Sequence, residues 1–302
     1  MDPLSDLITV LQPRTVLSKP ISGSGQWGVG YPAYGKPGYA LVLEGSCWLT
    51  IEGRNPVRLE AGDFVLLPAT PAFELSSRPG LACIAGQPSA QPVHHGDPTL
   101  APDIRILGGS FELDRTNASL LGELLPEMLH LRPGEIDTAG LSRVAQMIVD
   151  ESNADRPGAD MILERLLEIM LVQTLRDQAI GSESARLGML AGLRDPGVAK
   201  ALRALHADPR RRWTVAGLAS IAGMSRSAFA ARFRALVGHG PIDYLIRWRM
   251  TVAKAALGRV RTSLERIATE VGYDSASAYS TAFRREVGCP PRAFARSMAL
   301  AG

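Results

Sequence analysis

The chain of 302 residues contains only three cysteines, Cys47, Cys83 and Cys289, at wide separations. An odd, scattered set fits neither a secreted disulfide framework nor a paired-cysteine metal knuckle, and reads as reduced, structural thiols. No uninterrupted apolar run of about 18 residues occurs, and Met1-Asp2-Pro3-Leu4-Ser5-Asp6 lacks the basic and apolar segments of a signal peptide. A cytoplasmic protein without a membrane partner is expected. Catalytic signatures are missing as well: there is no Gly-rich phosphate loop, no HExxH and no GxSxG. Among the five histidines, His130, His206 and His239 are scattered, and only His94 and His95 adjoin, in a loop-like Gln91–Pro98 stretch. Two ligands without a third rarely hold a metal. The expectation is therefore no catalytic residue, no metal and no cofactor.

What is present is an ordinary globular composition, 46% hydrophobic and 21% charged, enough for two cores of about 100–200 residues each. The 33 basic and 30 acidic residues nearly balance, but they are not evenly placed. From Val198 onward there are 18 Lys and Arg against 6 Asp and Glu, a net +12, while the preceding part carries −9. A basic module joined to an acidic one is the electrostatic footprint of a protein that meets a polyanion with one domain only. Double-stranded DNA is the leading partner, and a merely solvated Arg-rich surface is the alternative.

The basic part repeats itself. Phe229-Ala-Ala-Arg-Phe233-Arg234-Ala-Leu-Val237-Gly238 aligns with Tyr279-Ser-Thr-Ala-Phe283-Arg284-Arg-Glu-Val287-Gly288, and Pro241 aligns with Pro291 at the same offset of 50. Upstream of each copy, Leu218, Ala219, Ile221 and Gly223, then Ile267, Ala268, Val271 and Gly272, combine helical apolar spacing with a small residue and a glycine four positions after it. Each copy reads as helix, turn, helix: the alanine permits close crossing, the glycine accepts a positive φ, and Ser225 or Ser275 caps the second helix. Phe229 with Phe233, and Tyr279 with Phe283, lie four apart on one face and read as core. Pro241 to about Leu257 is an unbroken helical pattern between the copies, about 26 Å long at 1.5 Å per residue. That length suits two reading helices in successive major grooves about 34 Å apart.

The stretch from about Val198 to Arg296 resembles the DNA-binding domain of the AraC/XylS transcription regulators, most specifically over Ile267-Ala-Thr-Glu-Val-Gly272-Tyr273-Asp-Ser275 through Tyr279, Phe283, Gly288, Pro290-Pro291, Phe294 and Arg296. Val287 stands where an aromatic is common in that family, and Cys289 where Ser or Thr is usual. The resemblance implies base-reading positions on the exposed side of each second helix: Arg226, Ser227, Ala228 and Ala231, then Ala276, Ser277, Ser280 and Thr281. Ala and Thr can meet thymine methyls and Ser any base edge, so direct readout is thin apart from Arg226, and DNA shape contributes. Arg210, Arg211, Arg212, Arg232, Arg234, Arg247, Arg249, Arg284 and Arg285 read as phosphate contacts.

The first part shows short β-rich runs separated by turn residues: Tyr39–Leu43, Cys47–Ile51, Phe64–Leu67 and Leu81–Ile84, with Glu44-Gly45-Ser46 and Glu52–Asn55 as hairpin turns. Gly62-Asp63-Phe-Val-Leu-Leu-Pro68 resembles the second motif of cupin barrels, a sensor that such regulators often carry. The usual metal-binding histidine falls on Phe73, and no HxH pair precedes it. Trp27, Tyr39, Trp48 and Phe73 are candidate pocket residues for a small-molecule effector, with plain core as the alternative. Two helices, Thr138 to about Asn153 and Ala159 to about Ile180, cover the barrel or form a homodimer seam.

The resulting expectation is a two-domain α+β chain. Residues 1–180 form a cupin-like β-barrel with following helices, 181–197 a linker, and 198–302 an all-α domain with two helix-turn-helix units joined by a long helix. The function expected is a sequence-specific DNA-binding transcription regulator under small-molecule control, with RNA polymerase as a further candidate partner. A cupin-type metal-dependent enzyme fused to a DNA-binding module, and a nonspecific architectural DNA binder, stay open.

Overall fold

The computed structural model describes residues 2–87, 91–132, 139–154, 156–180, 187–258 and 262–300. It begins with helix α1 (Pro3–Leu11) and strands β1 (Arg14–Ser24), β2 (Gly28–Tyr31), β3 (Gly38–Ile51), β4 (Val57–Glu60), β5 (Phe64–Leu67), β6 (Phe73–Ser76), β7 (Ile84–Ala85), β8 (Val93–Gly96) and β9 (Ile104–Glu112). Helix α2 (Ser119–Leu124), strand β10 (Leu129–Leu131), and helices α3 (Ala139–Asn153) and α4 (Ala159–Ile180) follow. The rest is helical: α5 (Met189–Arg194), α6 (Pro196–Ala207), α7 (Val215–Ala222), α8 (Arg226–Val237), α9 (Pro241–Leu257), α10 (Leu264–Glu270), α11 (Ala276–Val287) and α12 (Pro291–Leu300).

These elements form two compact units. One comprises Pro13–Glu112 and Leu125–Asp177; the other comprises Gln178–Gly302 together with Met1–Gln12 and Leu113–Leu124. Helix α1 and the α2 segment thus belong with the helical unit and not with the barrel that surrounds them in sequence. Of the linker expected over 181–197, residues 181–186 lie outside the described residues, and α5 with the start of α6 takes up most of the remainder, with Met189 and Leu190 buried in α5 and Asp195 capping α6.

In the barrel unit the strands run in the order β7-β2-β6-β3-β9-β1-β8, with β4 and β5 also on β3 and β10 on β5. Strand β3 holds this curled sheet together. Its first half pairs with β9 and β5, and its second half with β4 and β6. The change of partner happens at Gly45, where a hairpin turn is expected from sequence; the chain instead continues through a bulge between Val42 and Glu44. Gly45 has φ 76°, and a Cβ there would lie 1.9 Å from the Asp103 carbonyl oxygen, so the glycine serves close strand approach and not chain reversal. The run Leu81–Ile84 is likewise only marginally a strand: pairing begins at Ile84. Inward side chains, among them Val29, Val42, Leu49, Leu59, Val65 and Ile106, form the core.

In the helical unit each helix-turn-helix closes as its sequence dictates. Gly223 and Gly272 take positive φ (70° and 78°), and the Ser225 and Ser275 hydroxyls accept from the amides of Ala228 and Ala278. Phe229, Phe233, Tyr279 and Phe283 are fully buried. Helix α1 joins this unit through a buried polar chain: the His206 ring in α6 meets Asp6 Oδ2 at 3.1 Å through Nδ1 and the Tyr244 hydroxyl at 2.7 Å through Nε2. A neutral ring protonated on Nδ1 donates to Asp6 and accepts from Tyr244, which satisfies all three groups. Asn117, beside α2, is also buried and donates to the Thr251 carbonyl in α9.

Two outcomes follow for stability. A Cβ at Gly272 would lie 2.6 Å from the Arg210 carbonyl oxygen, whereas one at Gly288, also at positive φ, meets open space. Gly272→Ala is expected to cost roughly 2–4 kcal/mol and Gly288→Ala about 1 kcal/mol, read from urea denaturation midpoints. Burial outweighs the Asp6 carboxylate and holds the His206 ring below its ordinary value of 6.5. The unfolded chain therefore takes up the proton first as pH falls through about 6.5, and stability declines there. His206→Leu is expected to lower stability by roughly 2–3 kcal/mol by orphaning Tyr244 and Asp6. It should also remove this acid-side slope, as thermal melts between about pH 5 and 8 will show.

Candidate DNA interface and ligand cavity

Helices α8 and α11 each bury one face and leave the other free. On α8, Phe229, Phe233 and Val237 point inward, while Arg226, Ser227, Ala228, Ala231 and Arg234 are exposed. On α11, Tyr279, Ala282 and Phe283 point inward, while Ser277, Thr281, Arg284 and Arg285 are exposed. Ala276 and Ser280 are only half-buried, and Ala278 is exposed. The offset of 50 makes Ala278 the counterpart of Ala228 and Ser280 the counterpart of Ala230. Ala278 was therefore missed by the sequence reading although the repeat itself points to it. Thr281 is exposed and donates to the Ser277 carbonyl at 3.1 Å.

The arginines divide by what already holds them. Arg226, Arg234, Arg247 and Arg284 stand exposed. Arg211 lies over the Trp213 ring at 4.3 Å, and Arg212 reaches Asp274 in a fully solvated pair at 2.6 Å. Arg210 is exposed beside them, and Arg285 pairs with its neighbour Glu286. Arg232, by contrast, donates through Nε to Asp195 at 2.9 Å. Burial pushes the Asp195 carboxyl up, but the Val198 amide, Arg232 and the Gly197 amide together hold it below the usual carboxylate range. Arg249 is also engaged: its guanidinium donates to the carbonyls of Pro209, Arg210 and Arg211 and lies over the Tyr273 ring. These two arginines join protein to protein, Arg232 by tying α8 to the start of α6 and Arg249 by holding the 209–211 turn.

The barrel unit contains a cavity of about 290 Å³. Its walls are mostly apolar, with Ile21, Leu49, Leu59, Val65, Leu67 and Leu75 beside the rings of Tyr31, Tyr34, Tyr39 and Phe73. Gly108 and Gly109 of β9 also line it, and a Cβ at Gly108 would press on Ile21 Cδ1 at 2.8 Å. Tyr39 and Phe73 of the sequence-derived set line this cavity, and Phe73 stacks on Tyr31 at 5.1 Å. Trp27 and Trp48 do not: Trp27 is buried against His95 at 5.7 Å, and Trp48 sits half-buried opposite Arg58 and Ser76. Burial holds the Tyr31 and Tyr34 phenols up, so both remain protonated donors. Lys19 and Lys36 line the cavity as well, a feature no sequence signal marked.

The adjoining histidines do not converge. The His94 ring spans the Ser22 and Ser24 hydroxyls at 2.9 and 3.0 Å, while His95 stacks on Trp27. Burial, with the Asp63 carboxylate, pushes the Cys47 thiol up to about 12, so it stays protonated and unreactive. No described helix is long and apolar enough to cross a membrane.

Residues 2–179 match a cupin family model, and residues 218–297 match a helix-turn-helix domain model. A putative AraC-like transcription regulator of Streptomyces lividans is 39% identical over 96% of this chain and 97% of its own length. One from Streptomyces antibioticus is 36% identical over the same shares. Among solved structures, the DNA-binding domain of AdpA in complex with a target DNA is 32% identical, covering 34% of this chain and 92% of that one, with a TM-score of 0.32. With a cupin match over its first part, a helix-turn-helix match over its last, and full-length relatives of this kind, the chain belongs to the AraC-like transcription regulators.

Proposed function

We propose that this protein binds promoter DNA sequence-specifically through α8 and α11 and that a small molecule in the barrel cavity controls that binding. The observation that carries the reading is the pair of equivalent helix faces, each with small side chains framed by exposed arginine, 50 residues apart and joined by α9. Side chains such as Ala228, Ala231, Ala278 and Thr281 bring each helix close to base edges and thymine methyls, and Arg226 supplies the one strong directional contact. Arg234, Arg247, Arg284 and the 210–212 run take phosphates, while Arg232 and Arg249 hold the surface in shape. Phe73 at the position of the usual cupin histidine supports a binding and not a catalytic role for the barrel.

Control requires a ligand that favours one of two arrangements. Strands β1 and β9 both line the cavity, and each continues directly into a segment of the helical unit: α1 precedes β1, and residues 113–124 follow β9. Displacement of either strand is thereby passed along the chain, changing promoter occupancy or contact with RNA polymerase. Exposed Met147 on α3 and Met161, Ile162 and Ile169 on α4 form the seam of a homodimer; Thr138, where the first helix is expected to begin, lies outside the described residues.

Selection from random duplexes, followed by fluorescence anisotropy of the winner against scrambled DNA, tests the reading. A winning motif with two elements about one helical turn apart is expected, and equal affinity for every duplex overturns it. Arg226→Ala is expected to lose about 1–3 kcal/mol on the selected site and to relax its preference at one base pair. Arg284→Ala should weaken all duplexes alike and reduce the salt slope by about 1. Ile162→Glu with Ile169→Glu should convert dimer to monomer in sedimentation velocity without unfolding the chain.

A further inference from the structure

We infer that the barrel cavity takes a small amphipathic carboxylate, an apolar body carrying a single negative charge, with Lys19 as the residue that holds the charge. The inference rests on the effector reading above and adds the chemistry of the ligand.

Lys19 stands on β1 opposite Gly108 of β9, in the same inward row as Ile21. It is only 7% exposed, yet it lines the cavity. Its nearest aromatic neighbour is Tyr31, whose ring lies 5.6 Å from Nζ. No carboxylate lies within ion-pair distance of Lys19 among the described residues, whereas the buried acids Asp63 and Glu151 of this unit are paired, with His130 and Arg156. A buried ammonium is normally paired, because transfer out of water is otherwise uncompensated. A ring face meets part of that need and leaves the three N–H donors without an acceptor.

Burial lowers the Lys19 ammonium below its ordinary value, with no carboxylate contribution to raise it again. Burial, then Lys19, then His94 hold the His95 ring below its ordinary value. Lys36, the other lysine of the lining, is half-exposed and already answers to Glu112 at 3.7 Å. One uncompensated cation at an otherwise apolar wall calls for one negative charge. There is no arginine among the lining residues to grip a phosphate bidentately. A carboxylate fits; a doubly charged head finds one lysine too few. At about 290 Å³, the space sits at the small end of ligand sites, which run from roughly 300 to 1,000 Å³. The body is therefore compact, and the rings of Tyr31, Tyr34, Tyr39 and Phe73 accept either an aromatic ring or a short aliphatic chain.

The test is isothermal titration of the full-length protein with two matched pairs, sodium benzoate against benzamide and sodium octanoate against octanamide. At least one acid is expected to bind tenfold or more tightly than its amide, and the pair that shows this preference identifies the body. In Lys19→Met the acid should weaken at least tenfold while the amide holds, and the unliganded variant should melt no lower than the parent, since an unpaired buried charge has been removed. Amides that bind as well as acids overturn the inference and leave the effector cavity standing. Binding of neither acid nor amide overturns both. An acid preference that survives in Lys19→Met removes Lys19 from the role. Should that variant fail to fold, the acid-against-amide comparison on the parent protein decides alone.

Discussion

Seventeen residues of α9 must serve two cores at once, and the arrangement of the helical unit follows from that requirement. A single helix-turn-helix of this size cannot bury its own aromatic pair; it needs a third surface. Toward the first copy, α9 presents Tyr244 to Phe233 at 5.8 Å and Trp248 to His206 at 4.2 Å. Toward the second it presents Met250, Ala253 and Ala256 to Ile267, Tyr279 and Phe283. The alanines keep that second contact close, and the aromatics fill the wider gap of the first. Because α8 and α11 both pack on α9, their separation is a property of that helix and not of a flexible connection. A DNA site with two elements at a fixed spacing is the natural complement.

The same logic explains which arginines are spent on structure. A reading helix has to meet DNA at a defined angle, so some cations must fix protein to protein before others can meet phosphate. Among the arginines expected on the DNA face, Arg232 and Arg249 have guanidinium groups with buried or backbone partners, and both join parts of the unit distant in sequence. The other arginines of that set are exposed. Exchanging a water or a loosely held carboxylate for a phosphate costs little in that setting, so the division of labour follows from burial.

Much of this was legible before any coordinates. The repeat at an offset of 50, the glycines at 223 and 272 and the serine caps fix the helical unit almost residue by residue, because each feature acts within one turn of chain. The reading erred where a local signal has a non-local cause. Gly45 carries the signature of a hairpin, but the reason for the glycine is the Asp103 carbonyl some sixty residues away. Trp27 and Trp48 suggest a pocket by their size alone, whereas the pocket is lined elsewhere, with Gly108, Gly109 and Lys19 among its walls. A lysine in a β-rich run ordinarily reads as the solvent face of a strand. Only the pairing of β1 with β9 and β8 reveals that its row points inward.

The interleaving of the two units is the feature with the greatest consequence for control. Had the chain finished one unit before starting the other, a single connection around residues 178–197 would link them. Instead the backbone passes between units at Gln12–Pro13, Glu112–Leu113, Leu124–Leu125 and Asp177–Gln178. Two of those passages lie at the ends of β1 and β9, paired with each other over most of their length. The cavity is lined from both strands, so a ligand that tightens their pairing acts on two passages together. On the helical side, these passages lead to Asp6, which answers to His206, and to Asn117, which answers to the Thr251 carbonyl of α9. On the proposed reading, a ligand acting on either passage reaches α9 through these hydrogen bonds.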